Sequence, residues 1–256
     1  MEGKAWYEIS AKEIAKSNTL KTLDLIDEPQ ESDVMFKEYQ ELSEINLAKA
    51  RGFKYGAVSY SQMYIKEREK ILGNWENFFT ELCQIEKINI AGKIIVLGIN
   101  DGQEIGFIES DNIVGVDISK EAIARGKKLY PHINFINGDL AKPIIKDELI
   151  ESCISLRTLH LLKTEETEKV FCNAFNFLKE YGKIIVSVPG GFLTKDGEII
   201  FGQRVDNELV DENRSMNDAL RIYLVMEKSG FIDLRIIDQK IEIFIVGKKP
   251  KKRVIG

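Results

Sequence analysis

From Lys93 onward the chain alternates short apolar runs with longer amphipathic stretches. Ile94–Leu97, Ile113–Val116, Ile133–Ile136, Leu149–Leu156 and Ile184–Val188 are β-branched and apolar, and turn residues bound them. Such runs read as strands buried on both faces. Between them the apolar spacing changes to three and four. Lys120–Leu129 is a helix that Ser119 can cap, and Glu165–Lys179 is one that Thr164 can cap, with Val170, Ala174, Phe177 and Leu178 on its apolar face. Phe192–Arg204 reads as a hairpin around Lys195-Asp196-Gly197. A helix over Asn213–Lys228 stops at Ser229-Gly230-Phe231. Strands at Asp233–Ile237 and Ile241–Val246 lie too close in sequence to be anything but antiparallel. The pattern predicts an α/β protein with a seven-stranded, mostly parallel sheet and one antiparallel C-terminal strand.

Residues 1–87 lack this rhythm. Ser10–Leu25, Ser32–Ala50 and Ser61–Leu72 carry apolar residues at helical spacing, Pro29 interrupts them, and Arg51–Ser59 is a looser link. This part reads as a helical extension. Tyr55, Tyr60, Tyr64, Trp75, Phe78 and Phe79 read as helical core. A sharper reading makes the extension a lid, with Tyr60, Tyr64 and Arg68 facing a ligand. The expected division is therefore 1–87 as extension or lid, 88–248 as core with a substrate-side insertion at 190–212, and 249–256 as a basic tail.

The chain is organised around Lys93–Asp117. A strand ends in Gly98-Ile99-Asn100-Asp101-Gly102, about two helical turns follow over Gln103–Glu109, and a second strand closes on Asp117. A glycine turn after a first strand lets a ligand approach the backbone, and a carboxylate ending the second can accept both hydroxyls of a ribose.

Composition narrows the partners. The net charge of −5 gives no general pull toward nucleic acid or acidic membranes. No apolar run is long enough for a transmembrane helix, and MEGKAWYEIS lacks the apolar centre of a signal peptide. Cys83, Cys153 and Cys172 show no CxxC spacing and read as reduced residues of a cytoplasmic protein. With His132 and His160 the only histidines, no metal site is expected.

Four stretches, VLGINDG, GVDIS, NGDL, and LRTLHLL followed by FLKEYGKIIVSVP, are similar to motifs of the class I S-adenosylmethionine-dependent methyltransferases. The resemblance covers roughly residues 75–248 and implies a Rossmann-like fold. The family's first motif is an acidic residue, an apolar residue, then Gly-x-Gly-x-Gly. Here Gly98 stands at the acid, Asn100 at the first glycine and Glu104 at the third; Gly102 matches the second. Asn tolerates a left-handed backbone better than other non-glycine residues, so the turn survives Asn100.

The resemblance implies S-adenosylmethionine as cofactor. Gly98, Asn100, Asp101 and Gly102 would wrap its methionine part. Asp117 would accept from the ribose and Ile118 would pack on the adenine. Asp139 would accept from the adenine amino group beside the Leu140 amide, and Leu156 would line the same site. A charge-assisted hydrogen bond of this kind contributes about 1.5–3 kcal/mol. The plainer readings are a helix cap for Asp117 and a turn former for Asp139.

Methyl transfer needs little acid–base machinery, because the donor is already activated. If the acceptor arrives protonated, His160 is the candidate base, against a packing role at a helix start. Arg157 and Thr158 lie at the mouth of the fourth strand, where substrate is expected. Arg157 can hold a carboxylate or form a surface ion pair. The motif Asn/Asp-Pro-Pro-Tyr of amino-methylating nucleic-acid enzymes is absent there. The expected acceptor is a small molecule or a peptide end. Two alternatives compete: a nicotinamide enzyme, disfavoured by the absent GxGxxG, and a non-catalytic protein binding S-adenosylmethionine or S-adenosylhomocysteine on the same fold.

Overall fold

The computed structural model describes residues 7–9, 60–145, 149–193, 199–201, 203–205, 208–211 and 214–251. The helices expected over 10–25 and 32–50, the link at 51–59 and most of the basic tail lie outside the described residues.

A three-residue strand, β1 (Tyr7–Ile9), comes first, followed by α1 (Tyr60–Leu72) and α2 (Trp75–Ile85). The alternating part then runs β2 (Ile94–Leu97), β3 (Ile113–Asp117), α3 (Lys120–Leu129), β4 (Asn134–Asn137), β5 (Ile150–Ser155), a 3₁₀ turn at Leu159–Leu161, α4 (Thr164–Phe177) and β6 (Leu178–Pro189). After β6 come β7 (Gly191–Leu193), β8 (Ile199–Phe201), β9 (Gln203–Val205) and β10 (Glu208–Asp211). The chain finishes with α5 (Arg214–Lys228), β11 (Ile232–Asp238) and β12 (Glu242–Lys248).

The main sheet has the order β1-β11-β12-β6-β5-β2-β3-β4. Strands β4, β3, β2, β5 and β6 are mutually parallel, and β12 runs antiparallel between β6 and β11. These are the seven expected strands. An eighth, β1, adds antiparallel to the β11 edge, inside the region expected to be helical. The hairpin expected at Phe192–Arg204 forms as β7 with β8, and β9 with β10 makes a second small hairpin that periodicity did not show.

Both faces of the parallel strands are covered. Ile95 and Leu97 of β2 join Val170 and Phe171 of α4 and Ile222 of α5 in one core. Ile94 and Val96 point the other way, to Phe79 and Leu82 of α2 and Ile123 of α3. This is why β2 reads as an unbroken apolar run. Trp75, Phe78 and Phe79 are buried, and the Trp75 ring stacks on both phenylalanines, so the core reading of these aromatics holds. Asn74 caps α2 by accepting from the Asn77 amide, and Ser119 caps α3 from Ala122.

Three local expectations change. Gln103–Glu109 forms linked turns rather than helix: the Ile108 amide bonds to Ile105, while the Glu104 carbonyl accepts from Trp75 Nε1 at 2.8 Å. The indole thus takes the carbonyl that an α-helical bond from Ile108 would need. The N-cap of α4 is Lys163 rather than Thr164, and the Glu166 carboxylate accepts from the Lys163 amide. Strand β6 begins at Leu178, before the Tyr181-Gly182 turn expected to precede it. Ile150 pairs Leu178 while Ser152 pairs Lys183, and this irregularity carries Tyr181 at φ 63°.

Lys179 of β6 donates to Glu151 of β5 at 2.6 Å beside that irregularity. This hydrogen bond holds the Glu151 carboxyl below the usual carboxylate range. A depressed carboxyl stabilises the fold above its unfolded pKa, and that contribution is lost as pH falls through its folded value. Lys179→Met is expected to lower stability slightly at pH 7, with the deficit vanishing in acid below the folded value. Urea midpoints of both proteins from pH 7 down to pH 3 check it.

Candidate active site

Strand β2 has β3 on one side and β5 on the other, and the connection from β4 crosses back to reach β5. Ligands of open α/β sheets bind at the carboxyl ends of strands at such a reversal. The turn after β2 lies there. Gly98, Asn100 and Gly102 take φ of 75°, 53° and 86°. The left-handed conformation expected of Asn100 is present. Gly98 is required twice over, because a Cβ there would also overlap the Thr158 side chain.

Asp117 fixes this turn. Its Oδ2 accepts from the Asn100 amide at 2.8 Å and its Oδ1 from the Ser119 amide at 2.9 Å. One carboxylate thereby ties the first turn to the start of α3. Asn137 Nδ2 holds the carbonyls of Asp117 and Ile118 at 3.1 and 2.8 Å. Ile118 is half-buried. Asp139 follows β4, and its Oδ1 accepts from the Ala141 amide at 2.9 Å while Lys142 approaches Oδ2 at 3.6 Å. That bond forms the turn weighed as its plainer role. Leu140 beside it is half-buried.

Asp101 has partners of its own. It is buried beneath the turn, with Oδ2 accepting from Gln103 Nε2 at 3.0 Å and facing Arg125 Nε at 3.5 Å. Among the described residues its Oδ1 has no hydrogen-bond partner.

The second wall is the segment after β5. Leu156 is buried, and Thr158 Oγ1 donates to the Leu156 carbonyl at 3.0 Å and lies 3.4 Å from that of Gly98. His160, on the 3₁₀ turn, is half-buried, and Arg221 of α5 donates to its carbonyl at 3.2 Å. Arg157 takes φ 47°, a conformation that costs about 1–3 kcal/mol outside glycine. Its Nε donates to Glu242 Oε2 at 2.5 Å and its Nη2 to the Ile241 carbonyl at 2.9 Å. The ion pair weighed for Arg157 is therefore present, buried rather than on the surface.

Glu242 and Ser187, not singled out from the sequence, complete this wall together with Arg68, which was. Glu242 is fully buried and also accepts from Ser187 Oγ at 2.5 Å. Arg68, fully buried on α1, pairs with Glu104, lies 3.5 Å from Glu242 Oε1 and sits 4.0 Å over the Trp75 ring. Burial pushes the Glu104 carboxyl up, although Arg68 pulls it back down. The one available signal for Glu242 was a charge inside the apolar run IEIFIV. Tyr60 and Tyr64 lie on the first two turns of α1. Among the described residues no cluster of His, Cys, Asp and Glu is arranged to hold a metal ion, and no helix is long and apolar enough to cross a membrane.

Residues 97–182 match the family model of a methyltransferase domain, which spans the glycine turn, Asp117, Asp139 and the wall after β5. The matched stretch is thus similar to a methyltransferase domain, in line with the motifs it shares with the class I S-adenosylmethionine-dependent methyltransferases. Over 161 residues the chain is 24% identical to the eEF1A lysine and N-terminal methyltransferases of Bos taurus and Homo sapiens. The match covers 58% of this chain and 22% of theirs, so the chain spans under a quarter of the length of these curated relatives. Among solved structures it resembles a phosphoethanolamine N-methyltransferase of Haemonchus contortus in complex with S-adenosylhomocysteine. That likeness has TM-score 0.52 and 15% identity, over 73% of this chain and 57% of the other. A TehB-like methyltransferase of Corynebacterium glutamicum gives TM-score 0.50 and 16% identity, over 75% of this chain and 96% of the other. At these identities the likeness to solved structures establishes the fold.

The residues present fit S-adenosylmethionine. The turn is glycine-shaped where the backbone must approach a ligand, the Asp117 carboxylate stands beside it, and buried Arg68 presents an Nε without a hydrogen bond among the described residues. Replacing Asp117 by alanine also frees the Asn100 and Ser119 amides. It is expected to weaken S-adenosylhomocysteine binding tenfold or more, and beyond the loss for Asp139→Ala. Titration calorimetry of both variants checks the order; unchanged affinity in both would remove this assignment.

Proposed function

We propose that the protein transfers a methyl group from S-adenosylmethionine to an amine, carried by a small molecule or a peptide end. The observation that carries this is the left-handed turn at Gly98, Asn100 and Gly102, locked on Asp117 at the sheet reversal. The amine is supported by the names of the relatives: one acts on lysine and the N-terminus of eEF1A, another on phosphoethanolamine.

When bound, S-adenosylmethionine would supply an activated methyl group to the acceptor amine. The protein's own residues orient and exclude water. Asp117 and Asp139 hold the nucleoside part, and Gly98–Gly102 the amino-acid part. Buried Arg68, paired with Glu104 and facing Glu242, offers its Nε to a carboxylate. Thr158 and His160 border the acceptor side, and His160 takes the amine proton, since an imidazole titrates near neutrality. The N-terminal region, with Tyr60 and Tyr64 on α1, acts as a lid. A reducing, cytoplasmic setting suits three cysteines that form no disulfide.

Titration with S-adenosylmethionine, S-adenosylhomocysteine and NAD, followed by mass spectrometry of amine acceptors, tests the reading. Micromolar binding of the sulfur ligands and a mass gain of one methyl on an amine are expected. Binding of NAD alone would overturn it. Removing residues 1–59 is expected to abolish turnover while the far-ultraviolet spectrum of the sheet core persists; undiminished turnover would sink the lid.

A further inference from the structure

The two positions at which the turn departs most from the family's glycine motif, 98 and 104, are held from one distant residue. We propose that Glu242 is a positioning residue that clamps both ends of the cofactor turn. This rests on the reading of that turn as the S-adenosylmethionine site.

Glu242 begins β12, which pairs antiparallel with β6, so its carboxylate stands at the carboxyl end of the parallel strands beside Pro189. It is fully buried and reaches the turn by two routes. On the first, its Oε2 accepts from Arg157 Nε at 2.5 Å, and Arg157 Nη2 anchors on the Ile241 carbonyl at 2.9 Å. The Arg157 amide donates to the Ser187 carbonyl at 3.1 Å, and the Ser187 hydroxyl donates to Glu242 Oε1 at 2.5 Å. Arg157 is thus gripped at its backbone and its side chain, which offsets its left-handed φ of 47°. That conformation sets the next residue, Thr158, against Gly98 so closely that Gly98 has no room for a Cβ.

On the second route, Glu242 Oε1 faces Arg68 Nη1 at 3.5 Å, and Arg68 pairs with Glu104 at the far end of the turn. The Trp75 indole carries the guanidinium on its face and holds the Glu104 carbonyl at 2.8 Å. A glycine at 104 would leave this second route without an anchor. Glu242 touches neither the turn nor Asp117. Its effect on the cofactor is carried through Arg157 and Arg68.

Two variants test this, with S-adenosylhomocysteine as the probe and wild-type protein as reference. E242Q keeps the shape of the side chain and removes its charge. R157N leaves Glu242 with Arg68 and Ser187, and asparagine tolerates a left-handed backbone, so this variant folds even if E242Q does not. Each is titrated calorimetrically, with its urea midpoint measured in parallel. The dissociation constant is expected to rise about tenfold in E242Q and several-fold in R157N, at temperatures where each is folded. A merely structural role would lower the urea midpoint and leave the dissociation constant of the folded protein unchanged. Binding within twofold of wild type in every variant that folds would overturn the proposal while leaving the cofactor reading intact. Failure of the wild-type protein to bind the probe would overturn both.

Discussion

A carboxylate with no solvent exposure must be surrounded by donors or give up its charge. Glu242 is such a group, and its partners gather at the carboxyl end of the parallel strands. Its donors come from α1, the segment after β5, and β6, which are far apart in sequence. Each is drawn to the same end of the sheet. A buried ion pair of this kind adds little net stability compared with apolar packing, but it specifies which segments meet and in which conformation. Here it specifies the left-handed turn at Arg157 and the seating of Arg68 on Trp75.

The parallel strands impose the complementary constraint. Parallel neighbours cannot be joined by tight turns, so every connection leaves from one end of the sheet and returns at the other. The reversal at β2 sends the turn after β2 and the segment after β5 toward opposite sides, the place where ligands of open α/β sheets bind. Asp117 closes the β3 side by accepting two amides, and Thr158 closes the other by packing on Gly98. The turn keeps its left-handed geometry at Asn100, and Glu104 has a partner in Arg68, so the departures at 98, 100 and 104 leave the turn formed.

The strands and helices of the core were legible because burial on both faces leaves a period and a composition in the chain. Lys120–Leu129 with its Ser119 cap and the runs around Ile94 and Ile113 needed no tertiary knowledge. Local rules failed where a distant group competed for the backbone. The Trp75 indole took a carbonyl from the turns after Gly102, and the pairing of β5 drew β6 back to Leu178. Strand β1 is three residues long, too short to show alternation, and its pairing partner β11 is more than two hundred residues away.

By itself the sequence determined the fold class, the turn at Gly98–Gly102 and the acidic ends of two strands, because each depends on residues within one strand–turn–helix unit. Only the tertiary structure decided which charges meet. Arg68, Glu104, Arg157 and Glu242 are scattered over most of the described chain, and no periodicity links them. Their pairing follows from desolvation: once packing carries them out of water to the carboxyl end of the sheet, each opposite charge becomes the partner the other requires.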